Sequence, residues 1–80
     1  MITHKAVWQT IDKLAREMGL SPSSLAIMCN LDSTTFNQSK RFSAQGKPRW
    51  PSLQTVAKIV EHTKIGAQKF FKYVEENDKK

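Results

Sequence analysis

Several residue types are scarce in this sequence of 80 residues, and each scarcity excludes a class of protein. The single cysteine, Cys29, excludes an internal disulfide and is typical of a protein in a reducing cytoplasm. Together with only two distant histidines, His4 and His62, it does not make up the ligand set of a zinc site. No apolar run reaches the length of a membrane span, and no signal peptide is recognisable. We therefore expect a cytoplasmic protein with no metal and no membrane contact.

Acidic residues are missing from one long stretch of the chain. Asp32 and Glu61 have no Asp or Glu between them, although the formal net charge of the whole chain is +6. The same stretch carries five cations, which are Lys40, Arg41, Lys47, Arg49 and Lys58. This skew fits either a solvated charged surface or a face that binds nucleic acid. The second interpretation is favoured because the stretch begins inside a candidate DNA-binding motif.

Hydrophobic spacing predicts an all-α domain of five helices over residues 1–76, followed by a disordered polar tail at residues 77–80. The predicted helices cover residues 4–18, 21–29, 33–41, 53–62 and 67–76. In the fourth helix the predicted core stripe is Leu53, Val56, Ala57 and Val60, with Ile59 beside it. In the fifth, Phe70 and Val74 enter the core, whereas Phe71 and Tyr73 point elsewhere.

Residues 22–41 have the layout of a helix-turn-helix formed by the second and third helices. Ser21 is the expected N-cap of the second helix, with Pro22 at its first position. Asn30 takes the left-handed position of the turn, and Asp32 caps the third helix. That helix is polar apart from its apolar anchor Phe36, so it depends on the second helix for support. A recognition helix has this property because its outer face stays free for DNA.

Residues 42–51, with the sequence FSAQGKPRWP, form the longest irregular stretch. Lys47, Arg49 and Trp50 are crowded between its glycine and its prolines, which favours a loop along the sugar–phosphate backbone over a plain connector. Trp50 either contacts phosphate there or packs back onto the core. Lys40 and Arg41, at the end of the predicted recognition helix, are further candidates for phosphate contact.

With these motifs in place, the chain resembles the lambda-repressor-like, or XRE-type, bacterial and phage regulators. The matching text is GLSPSSLAIMCNLDSTTFNQSKR followed by RWPSLQTVAKIVEHTKIGAQKFF, and the resemblance covers about residues 7–74. The segment FNQSKRFSAQGKPRWPS is closer to phage-repressor-like regulators in which this domain precedes a LexA-type self-cleaving peptidase domain. The chain is then either an excised N-terminal domain or a small free-standing regulator.

The resemblance implies roles for particular residues. Four side chains of the recognition helix face base edges, and these are Ser33, Thr34, Asn37 and Gln38. Ser23, at the start of the second helix, meets a phosphate or assists the base readers. Two positions depart from the family pattern: the turn usually carries Gly where this chain has Asn30, and the last inward position of the recognition helix is usually aliphatic where this chain has Ser39.

The function expected from the sequence is a transcriptional repressor that binds double-stranded DNA, working as a homodimer on a pseudo-palindromic operator. If each domain neutralises about four to six phosphates, the logarithm of the binding constant falls with the logarithm of salt at a slope of about −4 to −5. The alternative is a protein–protein module of the same fold, antitoxin-like or adaptor-like, with Phe71 and Tyr73 as its contact surface. The sequence contains no nucleophile elbow and no phosphate-binding glycine loop, so neither catalysis nor a cofactor is expected.

Overall fold

A computed structural model describes residues 2–79, which form four α-helices, one short 3₁₀-helix and no β-strand. The α-helices are α1 (His4–Glu17), α2 (Pro22–Met28), α3 (Leu53–Thr63) and α4 (Ala67–Asp78), and the 3₁₀-helix is Gln38–Lys40. The predicted all-α class is therefore confirmed. The predicted number of five α-helices is wrong, because residues 33–41 do not form one.

Capping side chains begin three of the helices, and one of them is Ser21, at the position predicted for it. Thr3 Oγ1 accepts a hydrogen bond from the Ala6 amide, Ser21 Oγ from the Ser24 amide and Ser52 Oγ from the Thr55 amide. The turn after α2 is also as predicted, since Asn30 has a φ of 60°. These features are local in sequence, which is why spacing and residue type are enough to predict them.

The core lies between α1 and its two neighbours, α4 and α2, while α3 packs chiefly against α4. Side chains from all four α-helices and from the segment after α2 are buried in it; the larger ones are Trp8, Ile11, Leu14, Leu25, Phe36, Ile59, Phe70 and Val74. Cys29 is fully buried among them, as a small hydrophobic side chain. Burial raises the pKa of its thiol, because the thiolate would lose its hydration.

The predicted third helix is replaced by two short turns that are separated by an extended residue. Backbone hydrogen bonds here span three residues rather than four, as in Thr35 N–H to Asp32 C=O at 3.0 Å and Lys40 N–H to Asn37 C=O at 2.9 Å. Between them Asn37 is extended, with a ψ of 151°. Ser, Thr and Asn have low helix propensity because their side chains compete for backbone groups, so this segment follows its local chemistry.

Three residues that were placed by helical spacing lie on other sides than predicted. Ser39 was expected to face inward beside Phe36, but it is exposed, because the extended Asn37 lies between the two residues. In α3 the buried line runs through Ile59, which is 0% exposed, whereas Leu53 is 83% exposed and Ala57 is also exposed. The neighbour α4 decides which side of α3 is buried, and α3's own sequence does not contain that information.

α4 includes two residues that the sequence assigned to a disordered tail. Asn77 and Asp78 belong to α4, and Asn77 Nδ2 donates a 3.0 Å hydrogen bond to Thr10 Oγ1 in α1. Thr10 is fully buried and donates in turn to the Ala6 carbonyl at 2.8 Å. A buried hydroxyl gains from a second partner, and this bond stabilises α4 beyond the end that its hydrophobic pattern indicates. Lys80 lies outside the described residues.

Candidate nucleic-acid interface

The acid-free stretch begins with two connected pieces of non-α structure. We call residues 33–41 the turn segment and residues 42–51 the basic loop. The turn segment leaves α2 through the left-handed Asn30, and the basic loop leads into α3 through its N-cap, Ser52. Together they carry nine of the ten side chains that the sequence predicted to contact DNA.

Asp32 shapes the start of the turn segment. Its Oδ1 accepts hydrogen bonds from the Thr34 hydroxyl at 2.6 Å and from the Thr34 amide at 2.8 Å. The Thr34 hydroxyl, then the Thr34 amide, lower the pKa of the Asp32 carboxyl. A lowered pKa in the folded state means that this contribution to stability is present above about pH 4 and is lost as the pH falls through the folded pKa. The turn is therefore fully formed at neutral pH.

Internal hydrogen bonds close the basic loop. The Ser43 amide donates to the Lys47 carbonyl at 2.8 Å, and Ser43 Oγ accepts from the Lys47 amide at 3.1 Å. Gly46 supplies the positive φ of 79° at the tip, and an isolated antiparallel bridge pairs Phe42 with Pro48. The loop is thus a small hairpin-like turn, which holds its cations in fixed places.

Arg41, one of the residues predicted to contact phosphate, is held by contacts inside the protein. Its side chain is only 6% exposed, and its two terminal nitrogens donate to both carboxylate oxygens of Asp12 at 2.8 Å. Nη2 also donates to the Phe36 carbonyl at 2.8 Å, and the guanidinium carbon lies 4.7 Å from the centre of the Trp8 ring. Its buried Nε has no partner among the described residues. Arg41 therefore joins α1 to the turn segment and cannot be counted as a free cation.

The basic loop is attached to α1 through backbone carbonyls. Trp8 Nε1 donates to the Arg49 carbonyl at 3.0 Å, and the Arg49 amide donates to the Arg41 carbonyl at 2.8 Å. His4 Nε2 lies 2.8 Å from that same Arg41 carbonyl, which can only accept, so this nitrogen carries a proton. Two side chains of the first helix thereby set the position of a loop about 40 residues away along the chain.

The other predicted contact residues are open to solvent, with one exception. The exposed ones are Ser33, Thr34, Asn37, Gln38, Lys40, Lys47, Arg49 and Trp50. Among the described residues, the side chains of Asn37 and Gln38 make no hydrogen bond, so their amides are available to a ligand. The Thr34 hydroxyl already donates a hydrogen bond to Asp32. Ser23 is half-buried at the start of α2 and lines neither of the clefts described next.

A cleft of about 230 Å³ separates the turn segment from the end of the basic loop. Lys40 lines one side, while Arg49 and Trp50 line the other. Its remaining walls include Trp8 and the hydroxyl-bearing side chains Thr35, Ser52 and Thr55. We call it the cation cleft, because two positive side chains face it and no acidic residue lines it.

A second cleft, of about 220 Å³, lies on the other side of Trp8. His4 and Phe42 form aromatic walls with ring centres 5.0 Å apart at an interplanar angle of 61°. The side chains of Gln9 and Gln38 also line it. We call it the aromatic cleft. It offers flat apolar surfaces beside amide groups that can donate and accept hydrogen bonds.

Three other grooves of the described residues are lined by acidic and basic side chains together. One of about 610 Å³ runs between α1 and the end of α4, and it mixes Asp12 and Asp78 with Lys5 and Arg16. On α4, Phe71 is 37% exposed, but Tyr73 is half-buried with Lys13 Nζ 4.1 Å from its ring centre. The contact surface expected from these two aromatic residues is therefore reduced to Phe71.

Two further properties of residues 2–79 concern the expectations on metal and membrane. No group of three or more His, Cys, Asp or Glu side chains in this part of the chain is arranged to hold a metal ion. None of its helices combines the length and the apolar character needed to span a membrane.

Four residues of this region escaped prediction from sequence as parts of the site: His4, Trp8, Asp12 and Phe42. Trp8 is a core residue at 4% exposure, and its indole N–H also fixes the basic loop. Asp12 is a half-buried acid of α1 that pairs with Arg41. A buried Trp needs a hydrogen-bond partner for its N–H. The need of Trp8 for such a partner was the one feature of the sequence that could have indicated a contact between α1 and the basic loop.

Comparisons with protein-family models, with curated proteins and with solved structures found no match to this chain. The function is therefore argued from the geometry and charge of its own residues.

Proposed function

We propose that this chain is a sequence-specific DNA-binding regulator of the lambda-repressor-like helix-turn-helix type. In this proposal α2 supports the turn segment, and the turn segment takes the place of a recognition helix in the major groove of double-stranded DNA. One observation carries the proposal. Exposed cations and side-chain amides without internal hydrogen bonds lie together in the part of the chain between Asp32 and Glu61, which has no acidic residue. Hydrogen bonds from α1 hold this part of the chain in place.

Base reading falls to the exposed amides of the turn segment. A side-chain amide pairs with N6 and N7 of adenine through two hydrogen bonds, which distinguishes adenine from the other bases. Asn37 and Gln38 are adjacent, exposed and without internal partners, so they are the proposed readers. Ser33 supports them with a hydroxyl that can accept and donate hydrogen bonds. Thr34 contributes only as an acceptor, because its hydroxyl donates to Asp32.

Phosphate contact falls to three exposed cations, which are Lys40, Lys47 and Arg49. Each contact of this kind sets the position of the protein on DNA without reading sequence. Because Arg41 is committed to Asp12, fewer phosphates are neutralised than the sequence suggested. The expected slope of the logarithm of the binding constant against the logarithm of salt is therefore about −3 per domain rather than −4 to −5.

The working unit in this proposal is a pair of domains on a pseudo-palindromic operator. A single small module buries about 600–1,000 Å² on DNA and binds weakly by itself. Two copies that bind half-sites about one helical turn apart add their contacts, and a protein bound there obstructs transcription. This supports the role of a transcriptional repressor in the bacterial cytoplasm.

The test begins with selection of bound duplexes from a random pool, followed by affinity measurements on the selected site. We expect Asn37→Ala to lose about tenfold in affinity for that site and to relax the preference at one base pair, with little change on unrelated duplex. Lys47→Ala should weaken all duplexes alike and make the salt slope shallower by about one.

The two variants control for each other, because both replace exposed side chains on the same surface. A selection that enriches no common sequence would contradict sequence-specific reading. An Asn37→Ala protein that keeps both the affinity and the base preference of the wild type would remove Asn37 from the readers. Absence of binding to any duplex at about 50 mM salt would overturn the proposal as a whole.

A further inference from the structure

The aromatic side chains at the edge of the basic loop are more exposed than a duplex-binding surface requires. Phe42 is 49% exposed and Trp50 is 53% exposed, and the His4 ring lies between them in edge contact with both, at centre distances of 5.0 and 6.1 Å. Single exposed hydrophobic residues are common on protein surfaces. Two large rings grouped around a third, beside free cations, form a surface that bases can stack on.

We propose that this surface binds unpaired nucleotides of single-stranded DNA. In this arrangement one base enters the aromatic cleft against Phe42, the adjoining phosphate enters the cation cleft between Lys40 and Arg49, and the next base stacks on Trp50. The proposal goes beyond the binding of duplex DNA, because stacking of this kind requires bases that are not paired.

The chemistry of the two clefts matches the two halves of a nucleotide. The aromatic cleft, at about 220 Å³, is smaller than the clefts of roughly 300–1,000 Å³ that enclose drug-sized ligands, so it suits one planar ring. Its Gln9 and Gln38 side chains can hydrogen-bond the edge of a base. The cation cleft offers Lys40 and Arg49 to a phosphate and has no lining acid that would repel it.

The two clefts are also positioned to act together. Trp8 lines both of them, and the residues around position 40 contribute Gln38 to one and Lys40 to the other. Trp8 further holds the Arg49 carbonyl, while His4 holds the Arg41 carbonyl, so both walls are ordered before a ligand arrives. A strand crossing from one cleft to the other would meet alternating aromatic and cationic groups, which is the pattern of single-strand binding surfaces.

Charge selects single-stranded nucleic acid over a peptide as the occupant. Lys5 lines the aromatic cleft, Lys40 and Arg49 line the cation cleft, and neither cleft has an acidic lining residue. An apolar peptide would gain from the rings and leave these cations without partners. An unpaired strand carries one phosphate per base and satisfies both.

The test measures fluorescence anisotropy of a labelled oligothymidine dodecamer with the 80-residue chain at about 50 mM salt, beside a duplex of the same length. Wild-type protein should bind the dodecamer. Phe42→Ala and Trp50→Ala should each weaken that binding by about tenfold, and Phe42→Ala should change duplex binding by less than about twofold. Trp50→Phe should retain most of the single-strand affinity because a ring remains.

Phe71→Ala, another partly exposed aromatic residue, serves as the matched control and should bind like the wild type. Trp50 fluorescence provides a second measurement. The dodecamer should quench the emission of the wild type more strongly than that of Trp50→Phe, in which only the largely buried Trp8 emits. An equal loss of duplex and single-strand binding in Phe42→Ala and Trp50→Ala would overturn the proposal, because it would mean that the rings only support the loop.

Two further outcomes would overturn this proposal without affecting the proposed function. The first is a protein that binds duplex but not the dodecamer. The second is single-strand binding that neither Phe42→Ala nor Trp50→Ala weakens and that leaves the tryptophan emission of the wild type unquenched. Conversely, dodecamer binding that depends on both rings, in a protein that enriches no duplex sequence, would support single-strand binding and contradict the proposed regulator.

Discussion

Arg41 links α1 to the turn segment and the basic loop, although its side chain is buried. Its guanidinium satisfies both oxygens of Asp12 and the Phe36 carbonyl, and its own carbonyl accepts from His4 and from the Arg49 amide. The same arginine is therefore withdrawn from the exposed cations of the surface proposed to bind DNA.

Replacing Arg41 should lower stability far more than replacing an exposed cation. Removal of one partner of a largely buried ion pair costs about 3 kcal/mol, because the charge of the other partner, Asp12, is left uncompensated. We expect Arg41→Met to lower the free energy of unfolding in urea by about that amount, whereas Lys47→Met, at an exposed position, should change it by less than about 0.5 kcal/mol.

The salt dependence of DNA binding separates the two roles of these residues. Under conditions where Arg41→Met is folded, its salt slope should equal that of the wild type, because Arg41 makes no phosphate contact. Lys47→Met should make the slope shallower. An Arg41→Met protein as stable as the wild type, with a shallower slope, would show that Arg41 is free to meet phosphate after all.

Among the helices, α3 has the least favourable ending. Lys64 caps it in the left-handed conformation, with a φ of 58°, and a residue with a Cβ pays about 1–2 kcal/mol for that geometry. Glycine is the usual residue at this position. The other left-handed non-glycine residue, Asn30, tolerates the conformation better because of its short polar side chain.

Lys64→Gly should therefore stabilise the protein, by about 0.5–1 kcal/mol in the free energy of unfolding. Lys69→Gly is the matched control: it removes the same charge from an exposed position inside α4, and it should destabilise by about 1 kcal/mol. Chemical denaturation of both variants measures the difference. A loss of stability in Lys64→Gly would mean that its side chain contributes more than its backbone costs.

Sequence patterns predicted the elements whose causes are local. Ser21, Ser52 and Asn30 do what their residue types favour, and the boundaries of α1 and α3 follow from caps and spacing. The helix predicted over residues 33–41 followed the helix-turn-helix pattern rather than the low helix propensity of its Ser, Thr and Asn residues. The partner of Arg41, Asp12, lies 29 positions away. The exposure of Leu53 depended on where α4 lies. Such long-range partners have no signature in a short window of sequence.

The same division applies to the candidate site. Nearly all the predicted contact residues are exposed, because polar and cationic residues in irregular segments usually are. The two clefts could not be predicted, since each combines the first helix with residues that follow about 30 to 50 positions later. His4 is an example: as a lone histidine in a first helical turn it carries no signal, yet it is a wall of the aromatic cleft.

At the scale of the whole molecule, α1 and α4 close the fold by packing the two ends of the chain together. The last turn of α4 contributes through Asn77, whose amide bonds the buried Thr10 hydroxyl. Loss of one such bond to a buried group costs about 1 kcal/mol. A chain that ends at residue 76 should accordingly be about 1–2 kcal/mol less stable in urea.

Asn77→Ala in the intact chain serves as the control for this truncation and should account for most of the loss. A truncated protein as stable as the wild type would mean that the last turn of α4 contributes nothing to the fold. Duplex binding by the truncated protein should match the wild type under folded conditions, because residues 77–79 lie outside both clefts.

The hydrogen bonds from His4 and Trp8 to the basic loop also constrain the order of folding. They join residues 37 and 41 positions apart, so the chain must close large loops before either can form. Helices form locally within about a microsecond, whereas contacts of such separation form late. The surface proposed to bind DNA therefore forms among the last events of folding, and it is incomplete in a nascent chain that has formed helices but an undocked α1.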